Sequence, residues 1–243
     1  MEPHHHPHLE HPPKNWKTYL FEFFMLFLAV FSGFLAENQR EHMVEHQREK
    51  KYVRQMVADL QADSAFYVRL IEALDSAMIN YEKFDMVMAA GNASNYDILG
   101  AYMKLQSVYT MKFTNTTYSE MKSSGSFRYI QNDRLAGLIK KYYETNFEYI
   151  KVNEELGSNF FNTHMQPFTI EHFRMTDIDT DFEKIVAPNP VFLNRSKETE
   201  IRLMNITRLY KLYLSLYLKN AVIPSSKRAN ELIKMLKEEY HLS

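Results

Sequence analysis

His42, Glu45 and His46 fall in the pattern H-x-x-E-H. On a helix, residues four apart share a face. Two imidazoles would then converge on one metal with a glutamate beside them, as in the inverted zinc proteases. The surrounding "ENQREHMVEHQREKK" has almost no apolar pattern with which to bury such a site. Short charged motifs of this kind arise by chance. The stretch reads as a solvated helix surface, and no metal or catalytic role is assigned to it. Asp177, Asp179, Asp181 and Glu183 begin like a calcium loop. An EF-hand needs glycine at its sixth position and glutamate at its twelfth, where Phe182 and Pro188 stand. They are read as an acidic loop. His4, His5, His6, His8 and His11 alternate with prolines and read as a disordered tail, residues 1–15, with no selected metal. Lys122-Ser-Ser-Gly125 has one glycine and no preceding strand, so it reads as a helix-ending turn rather than a phosphate loop. No nucleophile triad or paired-carboxylate signature is present. The expectation is a protein with no catalytic residues and no cofactor.

Glu22 stands apart, because it is an acid inside an apolar block. Such a residue is a candidate proton-handling group. Its place near the end of the block also lets it reach the membrane interface or pair with Lys17.

Composition narrows the field further. The net charge is −1, and the tyrosines at 142, 143, 210, 213 and 217 have no basic stripe beside them, so no nucleic-acid partner is expected. Cysteine is absent, which removes disulfides, thiolate metal sites and cysteine nucleophiles. Six glycines are too few for a fold with many tight turns. Methionine, leucine, lysine and glutamate are frequent, and all favour helix.

The elements that must position these groups begin with "YLFEFFMLFLAVFSGFLA", Tyr19 to Ala36. As a helix this block is about 27 Å long, close to the hydrocarbon thickness of a bilayer. Eleven of its residues are Leu, Phe or Val. Together they favour insertion by roughly 3–7 kcal/mol, more than one acid near the block's end opposes it. Trp16 and Tyr19 suit the headgroup level, with Lys14 and Lys17 beyond. A signal-peptidase cut after Ala36 would leave Phe34 where a small residue is required, so an uncleaved anchor over 16–37 is expected. Ala29 and Gly33, and likewise Ser32 and Ala36, are small residues four apart that would let two spans approach closely.

Residues 38–52 are polar all round and read as a helical stalk. From there Val53, Val57, Leu60, Ser64, Tyr67, Ile71, Leu74, Met78 and Tyr81 make a heptad seam, able to pack on helices of the same chain or on another copy. Residues 53–243 are expected to form an antiparallel bundle of four or five helices. One starts at Asn95 or Asp97 and reaches about Phe113. Thr117-Tyr-Ser-Glu120 reads as a capping box ending at Gly125. Phe127 to Ile130 reads as extended. Asn132 or Asp133 opens a long helix with Leu135, Leu138, Ile139, Tyr142, Ile150 and Leu156 on its apolar side. Gly157 is a candidate kink in that helix, and Pro167 its limit. Residues 167–195 read as irregular. Ser196 starts a helix to about Lys219, and Pro224 a last one to about Tyr240. The fold class is all-α: one N-terminal transmembrane helix continuing into a long helix and an antiparallel helical bundle.

"YLFEFFMLFLAVFSGFLAENQRE", "TYSEMKSSGSFRYIQND" followed by "LIKKYYE", and the closing "ELIKMLKEEYHL" resemble an uncharacterised family of single-span membrane proteins from Gram-negative bacteria. The likeness covers nearly the whole chain. It implies architecture and brings no catalytic or ligand-binding residues with it. It also implies that the early histidines are native.

Arg40, Arg48, Lys50, Lys51 and Arg54 outnumber Lys14 and Lys17, which by bare count would place the larger domain in the cytoplasm. That rule weakens for long domains, and a short tail before a first span is typical of a signal anchor. The orientation expected is a cytoplasmic N-terminus and a periplasmic domain at the inner membrane. The function expected is binding, sensing or scaffolding, with an unknown protein partner and self-association through the span and the seam. The alternative is a subunit of an ion-coupled or channel-like assembly that uses Glu22.

Overall fold

The computed structural model of the chain describes residues 15–179 and 184–242. The histidine-rich tail before Asn15, and Asp181, Phe182 and Glu183 of the acidic loop, lie outside the described residues. The chain divides into two compact units, the first ending at Lys50 and the second beginning at Lys51. The fold class is all-α, and the described residues contain no strand.

The first unit consists of the leading part of helix α1, Trp16–Ala89. No proline or glycine breaks it except Gly33, whose surroundings are empty within 4 Å. Its apolar stretch is long and apolar enough to cross a membrane, and none of that window is buried. Ala29, Ser32, Gly33 and Ala36 lie on this exposed surface.

The second unit is a bundle of four legs in up-down-up-down order. The first leg is the rest of α1. The second leg comes back as two short helices, α2 (Asn95–Met103) and α3 (Thr116–Ser123), joined by residues 104–115 without regular structure. The third leg is an unbroken helical run through α4 (Asp133–Lys140), α5 (Phe147–Phe160) and α6 (Gln166–His172). The fourth runs through α7 (Lys197–Tyr217) and α8 (Ile223–Glu239). Long-range contacts fix these directions. Ser64 bonds Asn230, and Asp85 meets Lys211, so α1 and the fourth leg are antiparallel. Asp63 bonds Tyr142 while Phe84 and Phe168 both pack on Tyr102, so α1 and the third leg are parallel.

The helix ends follow local chemistry. Ser196 Oγ accepts from Thr199 N, and Asn132 Oδ1 accepts from Leu135 N. Gly125 adopts φ of 70°, a conformation that glycine takes without strain. The capping box expected at Thr117 is absent, because the helix begins at Thr116 after an uncapped Asn115. The real box is Ser94 with Asp97, each side chain bonding the other's backbone N–H. Of Phe127 to Ile130, expected to be extended, only Ile130 is; the others fall in a tight 3-10 turn, Ser126–Tyr129.

Neither proline ends its helix. The third and fourth legs contain π-helical turns at Lys141–Asn146, Phe161–Met165 and Leu218–Val222. Pro167 and Pro224 each follow one of them by two residues. A proline inside an α-helix lacks the N–H for its bond and clashes with the carbonyl four residues back. A π turn displaces that carbonyl, so the helix passes through. The helix expected to stop at Pro167 therefore continues, and the break expected between Lys219 and Pro224 is absent. The π turns also bury adjacent pairs, Tyr142 with Tyr143 and Tyr217 with Leu218.

The seam on α1 is consumed inside its own bundle. Val53, Val57, Leu60, Tyr67, Leu74 and Tyr81 are buried, while Ser64, Ile71 and Met78 are only partly covered. The more deeply buried partners of Leu60, Tyr67 and Leu74 are Asp63, Leu70 and Ala77, one position earlier than the heptad reading. Third-leg residues pack over that side as well, which widens the buried stripe. Leu156 was expected on the apolar side of its helix and is instead more than half exposed.

Candidate functional site

The second leg lacks a helical ladder over residues 104–115, so its backbone N–H groups need other acceptors. Side chains from the long helices supply them. Asp63 Oδ1 accepts from Thr114 N at 2.8 Å and Glu154 Oε1 from Met111 N, and Asp59 Oδ2 accepts from Thr117 N in the first turn of α3 at 3.0 Å. Hydroxyls complete the set. Tyr142 donates to Asp63 Oδ2 at 2.9 Å, Tyr217 to Glu154 at 3.0 Å, and Tyr210 to the Ser107 carbonyl at 3.3 Å. Burial pushes the Asp63 carboxyl up to about 6 against the lowering effect of Thr114 and Tyr142. Glu154 is raised for the same reason, against Met111 N–H and Tyr217. These carboxylates look catalytic by environment. Both oxygens of Asp63 and Oε1 of Glu154 accept from backbone and tyrosine donors, which marks them as structural ties.

The groups that remain to meet a ligand line a cavity of about 580 Å³ where α2 ends. Met103, Gln106 and Ser107 form one wall, and Phe161, Gln166, Thr169, Ile170 and Met175 the other. Its size falls within the range of small-molecule sites. The π turn beneath it shapes the wall. Met165 O accepts from Thr169 Oγ1 at 2.8 Å and from Tyr102 Oη at 3.1 Å. Gln106 Nε2 is buried beside the Tyr102 hydroxyl rather than open to the cavity. The lining is mixed: Ser107, Gln166 and Thr169 bring polar groups, and Met103 and Met175 bring thioethers that adapt to varied shapes.

Sequence reading missed this cavity. Gln106 and Ser107 lie in a segment that reads as helix, and Thr169 lies beyond a proline that reads as a stop. The groups that had drawn attention are not brought together. His42 and His46 are exposed, and His46 Nδ1 contacts Glu49 at 3.3 Å. Among the described residues no group of three or more His, Asp or Glu side chains converges as a metal site. Asp177 is buried. Burial acts to raise its carboxyl, but Arg174 at 2.7 Å and the Val191 N–H outweigh that and hold it below its ordinary value. Asp179 Oδ1 accepts from Lys184 N at 3.0 Å, so both acids brace the loop. Of the five tyrosines weighed as stacking platforms, Tyr142, Tyr143, Tyr210 and Tyr217 are core residues, and Tyr213 is partly buried against Gly157.

Comparison of the chain with protein-family models, with curated proteins and with solved structures finds no match in any of the three.

Proposed function

We propose that this is a single-span inner-membrane protein whose periplasmic helical bundle binds a small ligand with both apolar and hydrogen-bonding groups, and that it acts as a sensor or scaffold rather than an enzyme. The observation that carries the binding reading is a cavity of ligand size in which Ser107, Gln166 and Thr169 stand among methionine, isoleucine and phenylalanine side chains, while the buried Asp63 carboxylate is taken up by a backbone donor. Anchoring is supported by the apolar stretch of α1. A core helix in a water-soluble protein buries such a stretch, and here none of it is buried. Phe34 at the place of a signal-peptidase recognition residue favours retention of the segment. The likeness of its motifs to single-span proteins of Gram-negative bacteria points to the same membrane.

Native mass spectrometry of the full-length chain, released from detergent, tests the binding reading. A small-molecule adduct on the 28.9 kDa chain that disappears when Ser107→Trp fills the cavity supports it. A bare chain in both preparations sinks it.

A further inference from the structure

Two exposed apolar stripes run side by side on the bundle. Tyr149, Val152 and Leu156 form one on α5, and Leu209, Leu212 and Leu216 form the other on α7. Each stripe follows i, i+3, i+7, so its members share a helix face. Exposure ranges from 48% at Tyr149 to 57% at Leu156. The stripes are neighbours because α5 and α7 pack closely. Gly157 has no side chain, and a Cβ there would lie 2.5 Å from the Tyr213 ring. Phe160 stacks on Tyr210 at 5.5 Å, and Tyr217 bonds Glu154. These contacts set the register between the two helices and make the six side chains one patch.

The rim of the patch is charged with opposite signs on its two sides. The α5 edge carries Glu148 and Glu155, and the other edge carries Arg208, which also meets Asp85 of α1 at 3.5 Å, and Lys219 in the π turn after α7. In the register above, Lys219 lies level with Val152, between the two glutamates. A second copy turned about an axis parallel to the helices would lay its α7 over this α5 and its α5 over this α7. Leu212 and Leu216 then lie on either side of the copy's Leu156, and the basic edge meets the acidic one. Such a surface is complementary to itself, as a two-fold interface requires. The seam on α1 cannot serve this purpose, because it is buried within its own chain.

We propose that this patch is the contact between two copies of the chain, with α5 of one facing α7 of the other. Six half-exposed side chains offer roughly 500 Å² per copy. That is less than the roughly 800 Å² per partner of a stable free complex. Holding both copies on one membrane raises their effective concentration and closes the gap, so the proposal rests in this respect on the anchored reading.

The chain has no cysteine, so single cysteines report contacts cleanly. Two full-length versions, Leu156→Cys and Leu212→Cys, are co-expressed and oxidised in isolated membranes. The mixed pair is expected to give a disulfide-linked dimer several-fold more abundantly than either variant alone, or than Ile79→Cys on the outer side of α1. Lys219→Glu is expected to lower that yield by about threefold, and adding Glu148→Lys with Glu155→Lys to restore it. Absence of the mixed dimer overturns the proposal. So does a linked product whose mass is not twice that of the chain, since another protein then covers the face. A chain found in the soluble fraction would refute the anchor instead, and the same pair oxidised at high protein concentration would still decide the contact.

Discussion

The Thr114 N–H donates to Asp63 Oδ1 across 51 residues of sequence, and it joins a leg without a helical ladder to the helix opposite. The acceptor is a carboxylate in a position that would otherwise hold a leucine. Asp63 is fully buried in the stripe between Leu60 and Tyr67. A polar group buried this deeply makes the bundle's stability depend on pH and on the hydroxyl beside it.

The Asp63 carboxyl sits at about 6 in the folded chain, above its ordinary 3.8. The folded state therefore holds the proton more tightly than the unfolded one. The associated stability is full below the unfolded value and is lost as pH rises through about 6. Glu154 is raised as well and acts in the same direction. Chemical denaturation followed by circular dichroism should show a more stable full-length chain at about pH 5 than at about pH 7.5. Asp63→Asn should remove most of that slope, and an unchanged slope would show that Asp63 is not the titrating group.

Two buried tyrosine hydroxyls should respond oppositely to the same substitution. Tyr142 donates to Asp63, so Tyr142→Phe leaves a buried carboxylate short of a donor and should destabilise the chain by about 1–3 kcal/mol. The Tyr81 hydroxyl is buried with no partner, so Tyr81→Phe should be neutral or stabilise by about 1 kcal/mol. Equal losses at both positions would mean that the Tyr81 hydroxyl has a bound water.

Gly157→Ala would press a methyl group into the Tyr213 ring, whose hydroxyl is bonded to the Asn153 carbonyl. The expected loss is about 1–3 kcal/mol from overpacking. In a Tyr213→Leu background the ring is gone, and the same substitution should gain about 1 kcal/mol from alanine's better helix propensity. A loss that persists there would place the strain in the backbone.

Glu22→Gln separates the two membrane functions. If the chain is a sensor or scaffold, the variant should insert and function as the parent does. Loss of function with normal insertion, read by membrane fractionation beside a functional assay, would favour ion coupling. Orientation is read from fusions after Ser243. Active alkaline phosphatase with a dark cytoplasm-dependent fluorescent protein is expected, and the reverse pattern would move the bundle to the cytoplasm.

Much of the architecture was legible locally. Leu60, Tyr67 and Leu74 carry the buried stripe in their spacing, and Asn132, Ser196 and Gly125 mark real helix ends. What escaped local reading was decided from a distance. Tyr102, Leu105, Tyr109 and Phe113 follow helical spacing, yet the backbone between them bonds carboxylates 43 and 51 residues away. Nothing near Met111 in sequence announces Glu154. Pro167, read as a stop, and Pro224, read as a start, misled for a related reason, since the rule that an internal proline breaks a helix assumes a regular ladder before it. Gln106 had no periodicity to reveal it, because it lies where the helix gives way.

A leg fastened by side chains can come away without any long helix unwinding. Breaking the ties at Asp63 and Glu154 would free residues 104–115 while α1, α5 and α7 keep their own ladders. In hydrogen–deuterium exchange the Met111 and Thr114 amides should then exchange together, faster than the helical amides of Leu74 or Leu214, through one partial opening. Gln106 and Ser107 belong to that same segment, so the opening that releases the leg also unseals the cavity.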